Sequence, residues 1–189
     1  MQKLIVASAN KGKLREIKEL LSDRYDIISM SDAGISVDIE ETGETFEENA
    51  LIKAKAVFAL CGCPVISDDS GLVVYALNGE PGVYSARYAG EEHDDEKNNI
   101  KLLKNLSGIS DRRAKFVSVV AFYDGKREIT ASGAVEGEIL HEKSGNNGFG
   151  YDPLFYSTEL KKSFGEASAE EKNAVSHRAR AFKNLTEKL

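Results

Sequence analysis

The sequence lacks long apolar runs, and no stretch approaches the roughly 18 consecutive apolar residues that a membrane-spanning helix requires. Its first residues, Met1 to Leu4, enter a short strand-like run instead of the apolar segment of a secretory signal. We therefore expect a cytoplasmic protein without a membrane partner.

Cysteine and histidine are also scarce, with two and three residues respectively. Cys61 and Cys63 are separated by one residue at the end of a predicted helix, a spacing that suits neither a zinc knuckle nor a thioredoxin-type redox pair. Because the chain has no Cys/His cluster, zinc is disfavoured. We expect both cysteines to act as small buried hydrophobic residues.

Basic residues are in the minority, since 25 Lys and Arg stand against 31 Asp and Glu and the net charge is −6. This balance argues against a protein that coats nucleic acid, and we expect no stable nucleic acid partner. A small anionic ligand needs only a local basic pocket. No polar low-complexity stretch divides the 189 residues, so we predict a single domain over residues 1–189.

The first structural signal is a strand, a turn and a helix in succession. Leu4 to Ser8 is rich in apolar and β-branched residues, and apolar residues recur with helical spacing after Lys13. The turn between them, from Ser8 to Lys13, contains Gly12 and precedes a helix whose free N–H groups point back into it. This arrangement is typical of phosphate binding, although the Gly-x-x-x-x-Gly-Lys-Ser/Thr motif of P-loop proteins is absent.

The rest of the chain alternates strand and helix signals, which predicts a mixed sheet. Capping-box patterns at Thr45 with Glu48, and at Ser168 with Glu171, each start a helix, and we expect the second to run to the C-terminus. Further predicted elements are strands at residues 25–29, 64–67, 72–77, 114–123 and 128–140, and a helix at about residues 94–106.

Adjacent acids follow the predicted strand at residues 64–67. Clustered carboxylates such as Asp68 and Asp69 repel one another unless a cation neutralises them, so they indicate a metal. With Glu40 from an acid-rich loop they would suffice for Mg²⁺, which prefers oxygen ligands and retains several waters. Taken alone, the pair could equally be a solvated turn and a helix cap.

Several cations and one glycine-rich loop complete the candidate chemistry. Hydrolysis of a triphosphate requires cations that neutralise charge, and the candidates are Lys13, Lys53, Lys172 and Arg178. Each of them could also be an ordinary solvated side chain. The loop from Ser144 to Pro153 combines glycines with two aromatic residues, which lets the backbone approach a planar ligand.

Four stretches carry a specific likeness when they are taken together: Ser8–Lys13 with Glu16, Ser67–Gly71, Phe149–Pro153, and Ser176–Arg178. They closely resemble motifs of the inosine triphosphate pyrophosphatase family. Three intervening stretches also resemble that family, in the expected order and at similar separations: Glu40–Phe46, Pro81–Tyr88 and Glu170–Lys172. The likeness runs from near Lys3 to about Phe182.

The resemblance implies an α/β fold with an elongated, mixed central sheet flanked by helices, two lobes with a substrate cleft between them, and a homodimer. It also implies a Mg²⁺-dependent diphosphatase. Such an enzyme hydrolyses nucleoside triphosphates of non-standard purines (ITP, dITP and XTP) to the monophosphate and pyrophosphate. It thereby cleanses the nucleotide pool and prevents incorporation of these bases into DNA and RNA.

The family's site residues carry over to the matching positions of this chain. Asp69 would be the proton acceptor and would engage Mg²⁺ with Glu40, and Asp68 would support the same acidic centre. The residues that would bind substrate are Ser8, Ala9, Asn10, Lys11, Gly12, Lys13, Lys53, Ser70, Arg87, Phe149, Gly150, Tyr151, Asp152, Lys172, His177 and Arg178.

Within that scheme, a water near Asp69 would attack the α-phosphorus, and a pocket for the 6-oxo purine edge would disfavour ATP and GTP. One departure is Asn147, where the family often has glycine; Asn tolerates positive φ, so we expect the loop to persist. Two alternatives stay open: a related pyrophosphatase with another base preference, and a nucleotide-binding or RNA-binding module without catalysis. The three acids favour catalysis, since a pure polyanion site gains nothing from them.

Overall fold

The computed structural model describes residues 1–90 and 94–189, and within them the chain forms seven strands and five α-helices. The strands are β1 (Gln2–Val6), β2 (Tyr25–Ser29), β3 (Val65–Val74), β4 (Arg113–Tyr123), β5 (Glu128–Ile139), β6 (Phe155–Ser157) and β7 (Lys162–Ser163). The helices are α1 (Lys11–Leu21), α2 (Phe46–Cys61), α3 (Asp95–Asn105), α4 (Ala169–Val175) and α5 (His177–Thr186).

All seven strands belong to one sheet, in the order β2-β1-β3-β4-β5-β6-β7. Strand β1 pairs in parallel with both β2 and β3, whereas β6 pairs antiparallel with β5 and β7. The sheet is therefore mixed, which confirms the predicted fold class. The chain also divides into two compact units, and the substrate cleft stays a prediction.

The first unit comprises residues 1–69, 118–133 and 179–189. Its strands alternate between two apolar clusters because successive side chains of a strand point to opposite faces. Leu4 and Ile66 pack in one cluster with Ile17 of α1, whereas Ile5 and Val65 pack in the other with α2. Helix α1 thus covers one face of these strands and α2 covers the opposite face.

The second unit comprises residues 70–117 and 134–178 and has one apolar cluster. Leu102 and Leu106 bring α3 onto it, and both are fully buried. Phe116, Phe155 and Phe164 form its aromatic centre, with ring centroids 4.6 to 6.0 Å apart. Aromatic rings at these separations stabilise the unit by more than the burial of their apolar surface alone.

The local signals at helix ends and turns are confirmed. Both predicted capping boxes are present, at the starts of α2 and α4, and Gly62 ends α2 in the left-handed conformation at φ 63°. Strand β2 has the predicted bounds. These signals depend on a few neighbouring residues, which is why the sequence is sufficient to place them.

Three predictions are wrong. Residues 65–74 form a single strand, so Asp68 and Asp69 lie within β3 and not at its end. The C-terminal helix is two helices, because Ser176 adopts an extended conformation at ψ 154° between α4 and α5. Cys63 is exposed and Cys61 is only partly buried, with the Cys63 N–H donating to Sγ of Cys61.

No helix in the described part of the chain is both long enough and apolar enough to cross a bilayer.

Candidate active site

The turn between β1 and α1 leads into the N-terminus of a helix, which is a favourable position for an anion. Helix α1 begins at Lys11, earlier than the sequence predicts, and Asn10 caps it by accepting the Lys13 N–H at 3.0 Å. Ser8 accepts the Asn10 N–H at 3.2 Å, which fixes the turn. The first turn of α1 contains no acid. Its free N–H groups, its dipole and two lysines therefore favour a phosphate.

Strand β3 directs its two acids to opposite helices. The faces of the strand alternate, so Val65, Ser67 and Asp69 turn toward α2, and Ile66 and Asp68 turn toward α1. The Ser67 hydroxyl confirms this direction, because it donates to the Ala50 carbonyl of α2 at 2.6 Å. The two neighbouring carboxylates are thus placed in different surroundings.

Asp68 is fully buried and holds Lys13. Its Oδ2 lies 2.8 Å from the Lys13 ammonium, and its Oδ1 accepts a hydrogen bond from the Ser118 hydroxyl at 2.5 Å. The side chain of Lys13 is 16% exposed, whereas that of Asp68 is fully buried. This pair fixes a cation beside the turn before α1.

Asp69 belongs to a second cluster, with Lys53 of α2 at its centre. The Lys53 ammonium lies 3.0 Å from Oδ1 of Asp69 and 2.8 Å from Oε1 of Glu41, and it donates to the Asp68 carbonyl at 2.9 Å. Oδ2 of Asp69 is buried and has no hydrogen-bond partner among the described residues. One oxygen of this carboxylate is therefore fixed and the other remains able to accept.

Burial raises the pKa of Asp69, and the charges of Lys53 and Lys13 offset only part of that effect while Glu41 adds to it. Burial lowers the pKa of Lys53, but the carboxylates of Asp69 and Glu41 outweigh it and raise the pKa overall. Lys53 therefore stays an ammonium. A raised carboxyl pKa suits a proton acceptor that works near neutral pH.

The acidic loop before α2 brings Glu41, and not Glu40, to this cluster. Glu40 is exposed, whereas Glu41 contacts Lys53. The loop is anchored to α2, because the Gly43 N–H donates to Oδ1 of Asn49 at 2.8 Å. The sequence offered two adjacent glutamates in an irregular segment, so neither spacing nor periodicity could indicate which one meets the helix.

The carboxylates of the first unit fit Mg²⁺ on chemical grounds. Oxygen ligands are the ones that Mg²⁺ prefers, and one or two carboxylates suffice because substrate phosphates and waters complete its coordination. The buried Oδ2 of Asp69 is a carboxylate oxygen of this kind, and it lacks a hydrogen-bond partner among the described residues. No group of three or more His, Cys, Asp or Glu side chains suited to a metal occurs in residues 1–90 and 94–189.

In the second unit, Asp152 organises the glycine-rich loop. Its buried Oδ2 accepts the Phe149 N–H at 2.9 Å and lies 2.5 Å from the Lys172 ammonium. Gly148 adopts φ +76°, and a Cβ there would lie 2.0 Å from the same carboxylate oxygen. Glycine is therefore required at this position by both conformation and space.

Two cations lie near the Phe149 ring. The Lys172 ammonium is 4.8 Å from its ring centroid and the Arg178 guanidinium carbon is 5.7 Å from it, which are cation–π distances. Arg178 also donates to the Ser70 hydroxyl at 2.9 Å. The predicted residues Ser70, Phe149, Asp152, Lys172 and Arg178 are thus brought together, at a place where an aromatic ring and two cations meet.

The remaining predicted residues of this unit are placed differently. His177 is buried and its ring stacks on Phe116 at 4.8 Å. Tyr151 is buried in the apolar cluster, and its hydroxyl donates to the Ser85 carbonyl at 2.6 Å. Arg87 is exposed, with its guanidinium 5.5 Å from the Tyr84 ring. The substrate-binding roles of His177, Tyr151 and Arg87 therefore stay predictions.

Asn147, the departure from the family pattern, does not use positive φ. Among the described residues, the non-glycine residues with positive φ are Asn78 and Lys161. The Asn147 side chain instead donates to the Ala167 carbonyl at 3.0 Å, and its N–H donates to the Gly165 carbonyl at 2.8 Å. The loop therefore has an anchor here and does not require glycine.

Comparison with known proteins identifies the family. The chain belongs to the Ham1 family, whose model matches residues 4–188. It is 50% identical over 199 residues to a protein of Clostridium perfringens called dITP/XTP pyrophosphatase, covering 100% of this chain and 98% of that one. The likeness to a pyrophosphatase family that the motifs indicate is thereby confirmed.

Two solved structures have the same fold. The Staphylococcus aureus Ham1 protein is 46% identical with a TM-score of 0.88, covering 98% of this chain and 97% of that one. A HAM1 protein from Coxiella burnetii is 42% identical with a TM-score of 0.89, covering 99% and 98%. The mixed sheet and its helices are thus shared with members of this family.

Proposed function

We propose that this chain hydrolyses dITP, XTP and ITP to the nucleoside monophosphate and pyrophosphate, and so removes non-standard purines from the nucleotide pool. The observation that carries the proposal is the carboxylate of Asp69, which is buried, fixed through Oδ1 by Lys53, and able to accept through Oδ2. The name dITP/XTP pyrophosphatase, given to relatives about 50% identical over the full chain, supports the choice of substrate.

In this mechanism Asp69 takes a proton from the attacking water. The water oxygen forms a bond to the α-phosphorus, the bond from that phosphorus to the bridging oxygen breaks, and the electron pair leaves with pyrophosphate. Lys53 holds the Asp69 carboxylate in a single orientation, and its ammonium keeps the cluster from accumulating negative charge. The turn from Ser8 to Lys13 binds the phosphates through N–H groups and ammonium groups.

We propose Mg²⁺ as the cofactor, held by Asp69 and by a glutamate of the loop before α2. Glu41 already belongs to the Lys53 cluster, and Glu40, the ligand that the family resemblance implies, is its neighbour in the chain. The ion would supply positive charge that stabilises the phosphate oxygens as the bond breaks. Asp68 has a different role in this proposal, because both of its oxygens already engage Lys13 and Ser118. It acts as the counter-ion that positions Lys13 for the phosphates.

Recognition of the purine is assigned to the second unit, through Phe149–Asp152, Lys172, His177 and Arg178, with Ser70 and Arg87 on the rest of the substrate. The Phe149 ring offers a stacking surface, and the adjacent cations suit an oxygen-rich base edge. The proposal includes a single domain, a homodimer and a cytoplasmic location. No stable nucleic acid partner is included, in keeping with the net charge of −6.

A substrate panel tests the reaction and the base preference together. Pyrophosphate release is measured from dITP, XTP, ITP, ATP, GTP and CTP, each with Mg²⁺ and with EDTA. We expect metal-dependent release from the first three only. Pyrophosphate release from the other nucleotides would instead indicate a pyrophosphatase with a different base preference. Nucleotide binding without release would support the binding-module alternative.

The assignment of Asp68 has its own test. Asp68→Asn weakens the hold on Lys13, so we expect KM for dITP to rise about tenfold, as loss of one charged phosphate contact would cause. The Mg²⁺ concentration that gives half-maximal activity should stay at the wild-type value. Ser118→Ala, which removes the hydroxyl that donates to Oδ1 of Asp68, should shift KM in the same direction. A raised Mg²⁺ requirement would instead make Asp68 a metal ligand.

A further inference from the structure

Helix α3 holds both backbone polar groups of Gly150. The Gly150 N–H donates to Oδ2 of Asp95 at 2.8 Å, and the Gly150 carbonyl accepts from Nδ2 of Asn99 at 3.1 Å. Asp95 and Asn99 are four residues apart, so they lie on the same side of the helix, one above the other. Asp95 is therefore the acceptor for the Gly150 N–H, and Asn99 is the donor to the Gly150 carbonyl.

The same helix also fixes the segment that Tyr151 reaches. Asn98 accepts the Ala89 N–H at 2.8 Å and donates to the Ala86 carbonyl at 3.1 Å. Tyr151 in turn donates to the Ser85 carbonyl at 2.6 Å. Helix α3 thus holds the loop after Phe149 directly at Gly150 and indirectly through the partner of Tyr151.

The two contacts on Gly150 differ in burial. Asn99 is 4% exposed, and its Oδ1 is buried without a hydrogen-bond partner among the described residues. A buried amide with an unused acceptor is unfavourable for stability, and a leucine would fill such a position on the apolar side of α3 without that cost. Asp95 is exposed, so its bond competes with water and is the weaker of the two.

We propose that Asn99, assisted by Asp95, is a positioning residue for base selectivity, an inference that rests on the proposed function of the Phe149–Asp152 loop. Rejection of a wrong base requires a pocket that does not yield, because a loop that shifts can accommodate an extra amino group. Gly150 has a flexible backbone at φ +62°, and the bonds from α3 remove that flexibility between Phe149 and Tyr151.

The test compares kcat/KM for dITP with kcat/KM for dGTP in matched variants. Asn99→Ala removes the donor, and Asn99→Asp keeps the shape but turns a carboxylate toward the Gly150 carbonyl. We expect both to lower the dITP/dGTP ratio by about tenfold or more, mainly through a lower KM for dGTP, because a loop that shifts accommodates the extra amino group. The turnover number should change less.

Variants of Asp95 provide a second set for the same measurement, at an exposed position where substitution should not prevent folding. Asp95→Asn retains an acceptor for the Gly150 N–H and should keep the wild-type ratio, whereas Asp95→Ala should lower it by a smaller factor than the Asn99 variants. Asp94→Ala is the control, because it removes the N-cap of α3, which accepts the Lys97 N–H, and leaves Gly150 untouched. It should lower the melting temperature and leave the ratio unchanged.

The outcomes separate this inference from the proposed function. A selective wild-type enzyme whose ratio is unchanged in the Asn99 and Asp95→Ala variants would overturn the positioning role alone. A wild-type enzyme that does not prefer dITP would overturn the proposed function and this inference with it. Loss of selectivity in Asp94→Ala equal to that in Asn99→Ala would also overturn it, because general loosening of α3 would then be the cause.

Discussion

Asp69→Asn is expected to lower pyrophosphate release from dITP by about a thousandfold, the range in which loss of a general base lies. The substitution keeps the size of the side chain and can keep the hydrogen bond from Lys53, so geometry is preserved while the proton acceptor is lost. Steady-state release at saturating Mg²⁺ measures it. Asp111→Asn is the control, since Asp111 is an exposed partner of Arg113 and should leave the rate unchanged. Full activity in Asp69→Asn would contradict the assignment of Asp69 as the proton acceptor.

The same variant should be at least as stable as the wild type. The pKa of Asp69 is raised in the folded state above its value of about 3.9 in unfolded chains, so the protonated carboxyl group stabilises the folded state below that pH. This stabilisation is lost as pH rises through the folded pKa and the group ionises. Asparagine does not titrate in this range, so its contribution to stability does not change with pH. The melting temperature of the variant relative to wild type should therefore increase as pH rises above about 4, and a fall with rising pH would contradict the raised pKa.

Lys172→Met is expected to lower the free energy of unfolding by about 3 kcal/mol, because it leaves the buried Asp152 carboxylate without this ammonium. The side chains of Lys172 and Asp152 are only 6% and 4% exposed, so water cannot replace the lost partner. Methionine preserves the apolar stem beside Phe149 and Phe164. Urea unfolding measures the loss, and KM for dITP should rise because Asp152 also holds the Phe149 N–H.

A matched pair on the surface provides the control for Lys172→Met. Lys162 lies 2.8 Å from Glu171 with side chains 37% and 42% exposed, so Lys162→Met should change stability by less than about 1 kcal/mol. Combining Asp152→Asn with Lys172→Met removes both charges and should recover most of the lost stability. Equal losses from the two lysine variants would show that burial does not decide the strength of these pairs.

Local chemistry made much of the fold predictable. The capping boxes at Thr45 and Ser168 each depend on a few neighbouring residues, whereas the start of α1 at Lys11 was predicted too late. The break at Ser176 had no comparable signal, because no glycine or proline marks it. Its position follows from contacts of α4 and α5 with residues distant in sequence, such as the bond from Arg178 to Ser70.

Without the family resemblance, the residues predicted chemical types for the site, and the individual roles came from the resemblance. Asp68 and Asp69 were recognised as chemically unusual, but a strand that ends before them leaves their directions undefined. Once β3 continues through both, alternation places one against Lys13 and the other against Lys53. Glu41 was missed because its position is set by the way an irregular loop folds back on α2, and no period in the sequence reports that.

Because its side chains alternate between two faces, β3 is more sensitive to a change in length than to an exchange of one apolar residue for another. Apolar exchanges at Val65 or Ile66 alter packing and leave the acids in place. Deletion of one residue upstream of Asp68 would turn each acid toward the other helix, because a shift by one position exchanges the two faces. An apolar exchange in β3 therefore changes packing alone, whereas an insertion or deletion of one residue changes which helix each acid meets.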